Sequence, residues 1–193
     1  MTTRFHLLRH GPTHARAMVG WSDVPADLSD LARLERLTAI LPPTAIVVSS
    51  DLSRAVATAD AIQGTRRRLP HISGLREIHF GAWEMRTWAE VDAVSPDHIR
   101  AFWDKPGDIA PPDGESWNAL LRRVSAAMDG LAQDHSGADV IVVGHFGQIL
   151  TQVQRAAGLS AVEVFAQKID NLSLTRVDHH QGSWRLGAIN QTP

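Results

Sequence analysis

Apolar positions along this chain fall into short runs, each broken by polar, glycine-containing or proline-containing turns. Residues 5–8 form an apolar run that ends at Arg9-His10-Gly11, the pattern of a strand opening into a loop. Leucines at 31, 34, 37 and 41 recur with a helical period, predicting a helix over 30–41 that Pro42-Pro43 stops. Residues 45–50 are rich in β-branched side chains and predict a buried strand, followed by a helix over 52–62 with Ser50 or Asp51 as its cap. The stretch 75–113 is dense in Trp, Pro and His and predicts short helices over 87–94 and 97–103. A long helix over 115–133 carries Leu120, Leu121, Val124, Met128 and Leu131 on one face. Val140–Val143 predict a strand ending at Gly144-His145, 148–156 a helix, 171–177 an alternating segment and 183–189 a last strand.

Strands alternating with helices argue for an α/β fold with a mostly parallel sheet and helices on both faces. With no internal repeat and no long linker, the chain reads as one domain over 1–193. Parallel sheets carry their ligand sites beyond the carboxyl ends of the strands. Three apolar strands end in polar turns, at Arg9-His10-Gly11, at Ser49-Ser50-Asp51 and at Gly144-His145. A parallel sheet brings those ends to one edge.

Composition narrows the chemistry. The formal net charge is -2, so the chain lacks the basic surface of a general nucleic-acid binder. Without cysteine, thiolate catalysis, disulfides and cysteine-built metal sites are excluded. No apolar run is long enough to span a membrane, and residues 1–10 lack a signal-peptide core, so a cytoplasmic protein is expected. Lysine occurs only at Lys105 and Lys168; the other basic residues are arginine, which suits bidentate contacts to phosphate or carboxylate.

His10 follows a strand, sits beside Arg9 and precedes a glycine that lets a ligand approach closely. His145 repeats the arrangement after Gly144. A metal-binding histidine pair competes with this reading, although no carboxylate ligands are evident nearby. Arg54 falls in the first turn of a predicted helix, where an arginine opposes the helix dipole unless an anion balances it. Together these groups suit phosphoryl transfer. Arg9 and Arg54 would hold phosphate oxygens, and their field would keep His10 neutral and nucleophilic. One ring nitrogen would attack while the other donates to a backbone carbonyl. His145 would donate to a further phosphate oxygen. The departing alkoxide needs a proton, for which Glu77, Glu84 and Asp51 are the candidates.

The same residues match a family pattern. Leu7-Leu8-Arg9-His10-Gly11-Pro12-Thr13, the segment from Ser49 to Arg54 with Thr58-Ala59, Leu75-Arg76-Glu77 with Phe80-Gly81-Ala82-Trp83-Glu84, and Val143-Gly144-His145 resemble, in order, the motifs of the histidine phosphatase superfamily. The resemblance runs from residue 4 to about residue 190. It implies a three-layer α/β/α sandwich of the phosphoglycerate mutase-like kind, with Arg9, His10, Arg54 and His145 as the phosphate pocket and Glu77 as the acid. For the phosphatase branch it also implies neither metal nor organic cofactor. Thr13 stands where members often place a hydroxyl near the phosphate.

Four positions depart from the pattern, and none of them removes the phosphoryl-transfer group. Pro12 replaces a common glutamate, Arg16 a common asparagine, Met85 the glycine of Trp-Glu-Gly, and Phe146 the first glycine after the second histidine. Arg16 could bind a second anionic group, and Phe146 adds an aromatic wall or a core plug. Gly20 and Trp21 are read with Thr13, Arg16 and Phe146 as substrate-binding. Trp21, Trp83, Trp88, Trp103 and Trp117 are candidates for an apolar rim. The short region between Glu84 and Pro111 resembles the small-phosphatase branch, which includes broad-specificity and alpha-ribazole phosphatases, more than the longer mutases. The expected partner is a small phosphorylated metabolite, with no nucleic acid and no membrane. Mutase-type transfer and a weakly catalytic phosphate-binding module stand as alternatives, and the oligomeric state is open, a homodimer included.

Overall fold

The computed structural model describes residues 1–193. In chain order it contains β1 (Thr2–Arg9), α1 (Leu31–Ile40), β2 (Ile46–Ser49), α2 (Ser53–Gln63), α3 (Trp88–Asp92), α4 (Pro96–Asp104), α5 (Trp117–Asp134), β3 (Asp139–Gly144), α6 (Phe146–Ala157), α7 (Ala161–Phe165), β4 (Leu174–His180) and β5 (Ser183–Leu186). Single 3-10 turns stand at Ser73–Leu75 and Gly81–Trp83. The sheet order is β2-β3-β1-β4-β5. β1 and β2 each pair parallel to β3, while β4 runs antiparallel to both β1 and β5. Reversing direction twice returns β5 to the direction of β1, so only β4 opposes the others and the sheet is mostly parallel. No helix is long and apolar enough to cross a membrane.

The strand period of two sorts the core into two layers. Phe5, Leu7, Val48, Val140, Val142 and Val177 join the cluster built on α4, α5 and α6. Leu8, Val47, Ile141, Val143 and Leu174 face the other way, against Leu34 and Leu37 of α1 and Ala55, Ala59 and Ile62 of α2. The result is an α/β/α sandwich. On the α1/α2 side, Arg66 is buried and donates to the carbonyls of Thr38 in the last turn of α1, of Leu41 and Pro42 just beyond it, and of Ile62 and Gln63 in α2. One cation thereby satisfies orphan carbonyls at two helix C-termini and favourably meets both dipoles.

Differences from the sequence pattern have local causes. Neither Ser50 nor Asp51 caps α2. Leu52 holds the N-cap position without a side-chain bond, and Asp23, from a distant loop, accepts the Ser53 N–H at 2.7 Å. Asp51 instead forms a fork with Arg76. The expected last strand stops at Leu186. The five-residue α7 is absent from the periodicity because it is too short to display one. Its capping box, Ser160 with Glu163, was the available signal.

Candidate active site

The chain leaves β1 to one side to reach β2, while β4 lies on the other, so a crevice opens beyond the carboxyl ends of β1 and β3. His10 stands at its floor. The His10 N–H donates to Gly144 O at 3.0 Å, and Asn171 Nδ2 donates to His10 O at 2.8 Å. Strand β3 and the segment before β4 thus fix the backbone from both sides. The next peptide is held by α2, with Gly11 N–H donating to Thr58 Oγ1, which itself donates to Arg54 O.

The His10 ring is oriented by its own loop. Nδ1 lies 2.6 Å from Gly11 O. A carbonyl can only accept, so the proton of the neutral ring sits on Nδ1 and the Nε2 lone pair is free. Burial, then the Arg54 charge and, more weakly, Arg9, pull the His10 pKa from 6.5 to about 3, against the raising effect of the Gly11 bond. The ring is neutral throughout the physiological range.

Arg54, in the first turn of α2, is 1% exposed. It donates through Nη1 to Ser22 O at 2.9 Å and through Nη2 to Gly20 O at 2.6 Å. The loop that offers those carbonyls is pinned by Glu84. The Glu84 carboxylate accepts the N–H groups of Gly20, Trp21, Ser22 and Phe80 and the Ser22 hydroxyl. Burial pushes the Glu84 pKa up, but these bonds outweigh it and hold it below the usual range. Arg9 donates to Ile169 O at 2.6 Å, and its guanidinium lies 5.3 Å from the Phe146 ring centroid, a cation–π distance. Burial lowers the pKa of both arginines, and Glu77 is the first of the nearby charges that raise them. Neither forms a salt bridge with a carboxylate.

Glu77 is buried, with Oε1 accepting the Ile78 N–H at 2.8 Å and Oε2 the Gly147 N–H at 3.0 Å. Its backbone carbonyl takes bonds from Trp21 Nε1 at 2.9 Å and Arg123 Nη2 at 3.0 Å, and Arg123 is itself forked onto Glu115. A Cβ at position 147 would overlap Glu77 Oε1, so glycine there leaves the carboxyl its place. His145, wholly buried beside His10, has its ring centroid 5.1 Å from that of His10. Its Nε2 lies 2.6 Å from Ser50 Oγ, while Nδ1 has no partner, as is also true of Arg9 Nε. Burial first, then His10 and the arginines, holds the His145 pKa well below 6.5.

The cleft above these groups has a volume of about 290 Å³, with Arg9, His10, Arg54 and Glu77 in its wall. Thr13 and Phe146 line it, as the sequence suggested, together with Ala15, Met18, Phe80 and Trp103. Three other expected substrate contacts fall elsewhere. Arg16 is exposed, makes no hydrogen bond and is not part of the cleft wall, because the loop turns its side chain outward. Gly20 is buried beneath Ile78 O and Glu84, and acts through its carbonyl on Arg54. Trp21 lies between His79 and the Arg76 guanidinium, outside the cleft, and acts on the Glu77 carbonyl. Among the tryptophans, Trp83 is core and Trp88 is exposed. No group of three or more His, Asp or Glu side chains is arranged to hold a metal ion. Trp103, one of the rim candidates, lines the cleft; Thr58 and Asn171 were not singled out as site residues from the sequence.

Comparison with known proteins places this geometry. The family model described as histidine phosphatase superfamily (branch 1) matches residues 5–192. A Mycobacterium tuberculosis protein described as bifunctional is 32% identical over 98% of this chain. The chain covers 54% of that relative, so it spans about half the length of the first curated relatives it matches. The Escherichia coli adenosylcobalamin/alpha-ribazole phosphatase is 27% identical, over 97% of this chain and 91% of its own. The solved structure of Bacillus stearothermophilus YhfR superposes with a TM-score of 0.90 at 26% identity, covering 99% of this chain and 98% of its own. The buried histidine pair at the strand ends, flanked by two arginines, thus stands in a chain that belongs to the histidine phosphatase superfamily.

Proposed function

We propose that the chain hydrolyses small phosphorylated metabolites through a phosphohistidine on His10. The observation that carries this reading is the protonation of the His10 ring: Nδ1–H is held by Gly11 O, Nε2 is free, and burial with two guanidiniums keeps the ring neutral. The Nε2 lone pair attacks phosphorus, the P–O ester bond breaks, and the departing alkoxide takes a proton from Glu77. Water then attacks the phosphohistidine and gives a proton to Glu77, releasing inorganic phosphate and restoring His10. Remaining N–H groups of Arg9 and Arg54 hold the equatorial oxygens, where charge is spread in the transition state. The Ser50 hydroxyl, donating to His145 Nε2, would keep the proton on His145 Nδ1. That buried donor and Arg9 Nε have no protein partner. An orphaned buried donor costs about 1–3 kcal/mol, which a phosphate oxygen would recover. Exposure of Ala15 at the cleft mouth favours water as the final acceptor. Similarity to an alpha-ribazole phosphatase agrees with hydrolysis of a small ester.

The test is rapid acid-free quenching with a labelled ester. The expected product is a covalent phosphoenzyme that survives alkali and is lost in acid, absent from His10→Ala, which should also abolish turnover of p-nitrophenyl phosphate. Near-normal turnover by His10→Ala would end this reading. Loss of Arg54 should cost on the order of 10²-fold in rate.

A further inference from the structure

Beside the cleft lies a second, smaller chamber of about 50 Å³, bordered by Phe80, Phe102, Trp103, Trp117, Phe146 and Phe165 with Ile78 and Gly147. Glu77, Phe80, Trp103 and Phe146 border both spaces, so the two adjoin along these residues. Glu77 is the only ionisable residue of the chamber. The aromatic walls pack on one another: Phe165 lies 4.6 Å from Trp117 and 6.1 Å from Trp103, and Trp103 lies 5.0 Å from Phe102, between ring centroids. Such walls do not collapse to fill the space.

We propose that this chamber is a subsite for a compact aliphatic branch of the leaving alcohol, and that the preferred substrates are phosphomonoesters of uncharged, branched, apolar alcohols. The inference rests on the phosphatase reading, since the acid that protonates the leaving oxygen must lie within hydrogen-bond reach of it. The first carbons of the alcohol then sit next to Glu77, one of the residues that border the chamber. Size decides which group enters. An apolar cavity of about 150 Å³ takes a benzene ring, and a third of that volume takes a branch of a few carbons but not a ring. Charge decides what is refused. Arg9 and Arg54 are the only cations of the cleft wall, both committed to the phosphate, and Arg16 points to solvent. Nothing remains to pair with a carboxylate on the alcohol, and burying one unpaired among aromatic walls is costly. The cleft mouth continues the pattern with Ala15, Ala17, Met18 and Val19.

The experiment compares kcat/KM for isobutyl phosphate, glycerol 3-phosphate and 3-phosphoglycerate, with p-nitrophenyl phosphate as the general reporter of turnover. Isobutyl phosphate should exceed each of the other two alkyl esters by at least tenfold, the order of discrimination an apolar pocket gives for one or two carbons. Phe165→Ala, which touches the chamber but not the cleft, should bring the volume toward that of a ring and shift the preference at least fivefold from isobutyl toward benzyl phosphate. Turnover of p-nitrophenyl phosphate with no preference for isobutyl phosphate over glycerol 3-phosphate would overturn the subsite and leave the phosphatase reading standing. Absence of turnover on all four esters would overturn both. The wild-type ratios decide the matter even where Phe165→Ala fails to fold.

Discussion

Gly147→Ala separates the chemistry of Glu77 from the stability of the fold. Gly147 occupies the second position of α6 in ordinary helical backbone, so alanine is favoured there by about 0.5–1 kcal/mol on propensity alone. The added Cβ would meet Leu120 Cδ2 at 3.4 Å, an ordinary separation, but would overlap Glu77 Oε1. The side chain of Glu77 must therefore yield, by roughly 1 Å, and a displacement of that size at a reacting group costs on the order of 10²-fold in rate. Its bond from the Gly147 N–H, 3.0 Å in the wild type, lengthens with it. The loss should depend on the leaving group, because nitrophenolate departs without a proton and phenolate does not. We expect kcat/KM to fall about 10²-fold on phenyl phosphate and less than tenfold on p-nitrophenyl phosphate, with a urea midpoint at or above that of the wild type. Activity on phenyl phosphate within threefold of wild type, or equal losses on the two esters, would refute the role of Glu77 as acid.

The His10 ring should show no protonation midpoint near 6.5 when its Cε1 resonance is followed from pH 8 to pH 4.5, because its folded pKa is about 3. The unfolded chain takes up that proton first, so stability present above pH 6.5 is lost as pH falls toward 3, on the order of several kcal/mol; a ring that titrates near 6.5 contradicts the site electrostatics. Arg66→Met should destabilise the chain by about 2–4 kcal/mol in urea unfolding, since it strands carbonyls at the ends of α1 and α2; a change below about 0.5 kcal/mol would mean that water replaces the guanidinium. Met85 has φ 59° and is exposed, at the position where the family pattern carries glycine. Met85→Gly should therefore stabilise by about 0.5–1 kcal/mol, and a loss of stability would show that the side chain contributes packing that outweighs the backbone strain.

What the sequence revealed, and what it hid, follows from the range of the forces involved. Arg9, His10, Arg54 and His145 were legible because each sits at a fixed offset from an apolar strand, and strand ends in a parallel sheet share an edge. The direction of a side chain in residues 12–29 was not legible, because coil has no period to sort inside from outside. Arg16 was consequently read as able to bind a second anionic group and Trp21 as a rim candidate; the one is exposed and the other bonds the Glu77 carbonyl. The support given by Glu84 is expressed through four backbone N–H groups, three of them more than 60 residues away. Backbone groups leave no compositional trace. Phe165 was hidden by the brevity of α7, and with it the small aromatic chamber.

The electrostatics of the cleft suit a dianion. Burial destabilises the charge on both Arg9 and Arg54, no carboxylate bridges either, and Glu77 is the leading counter-charge for each. In the proposed reaction a phosphate dianion entering between the guanidiniums would take over that task. Two buried, under-compensated cations are thus the feature of the cleft on which the proposed recognition of a dianion rests.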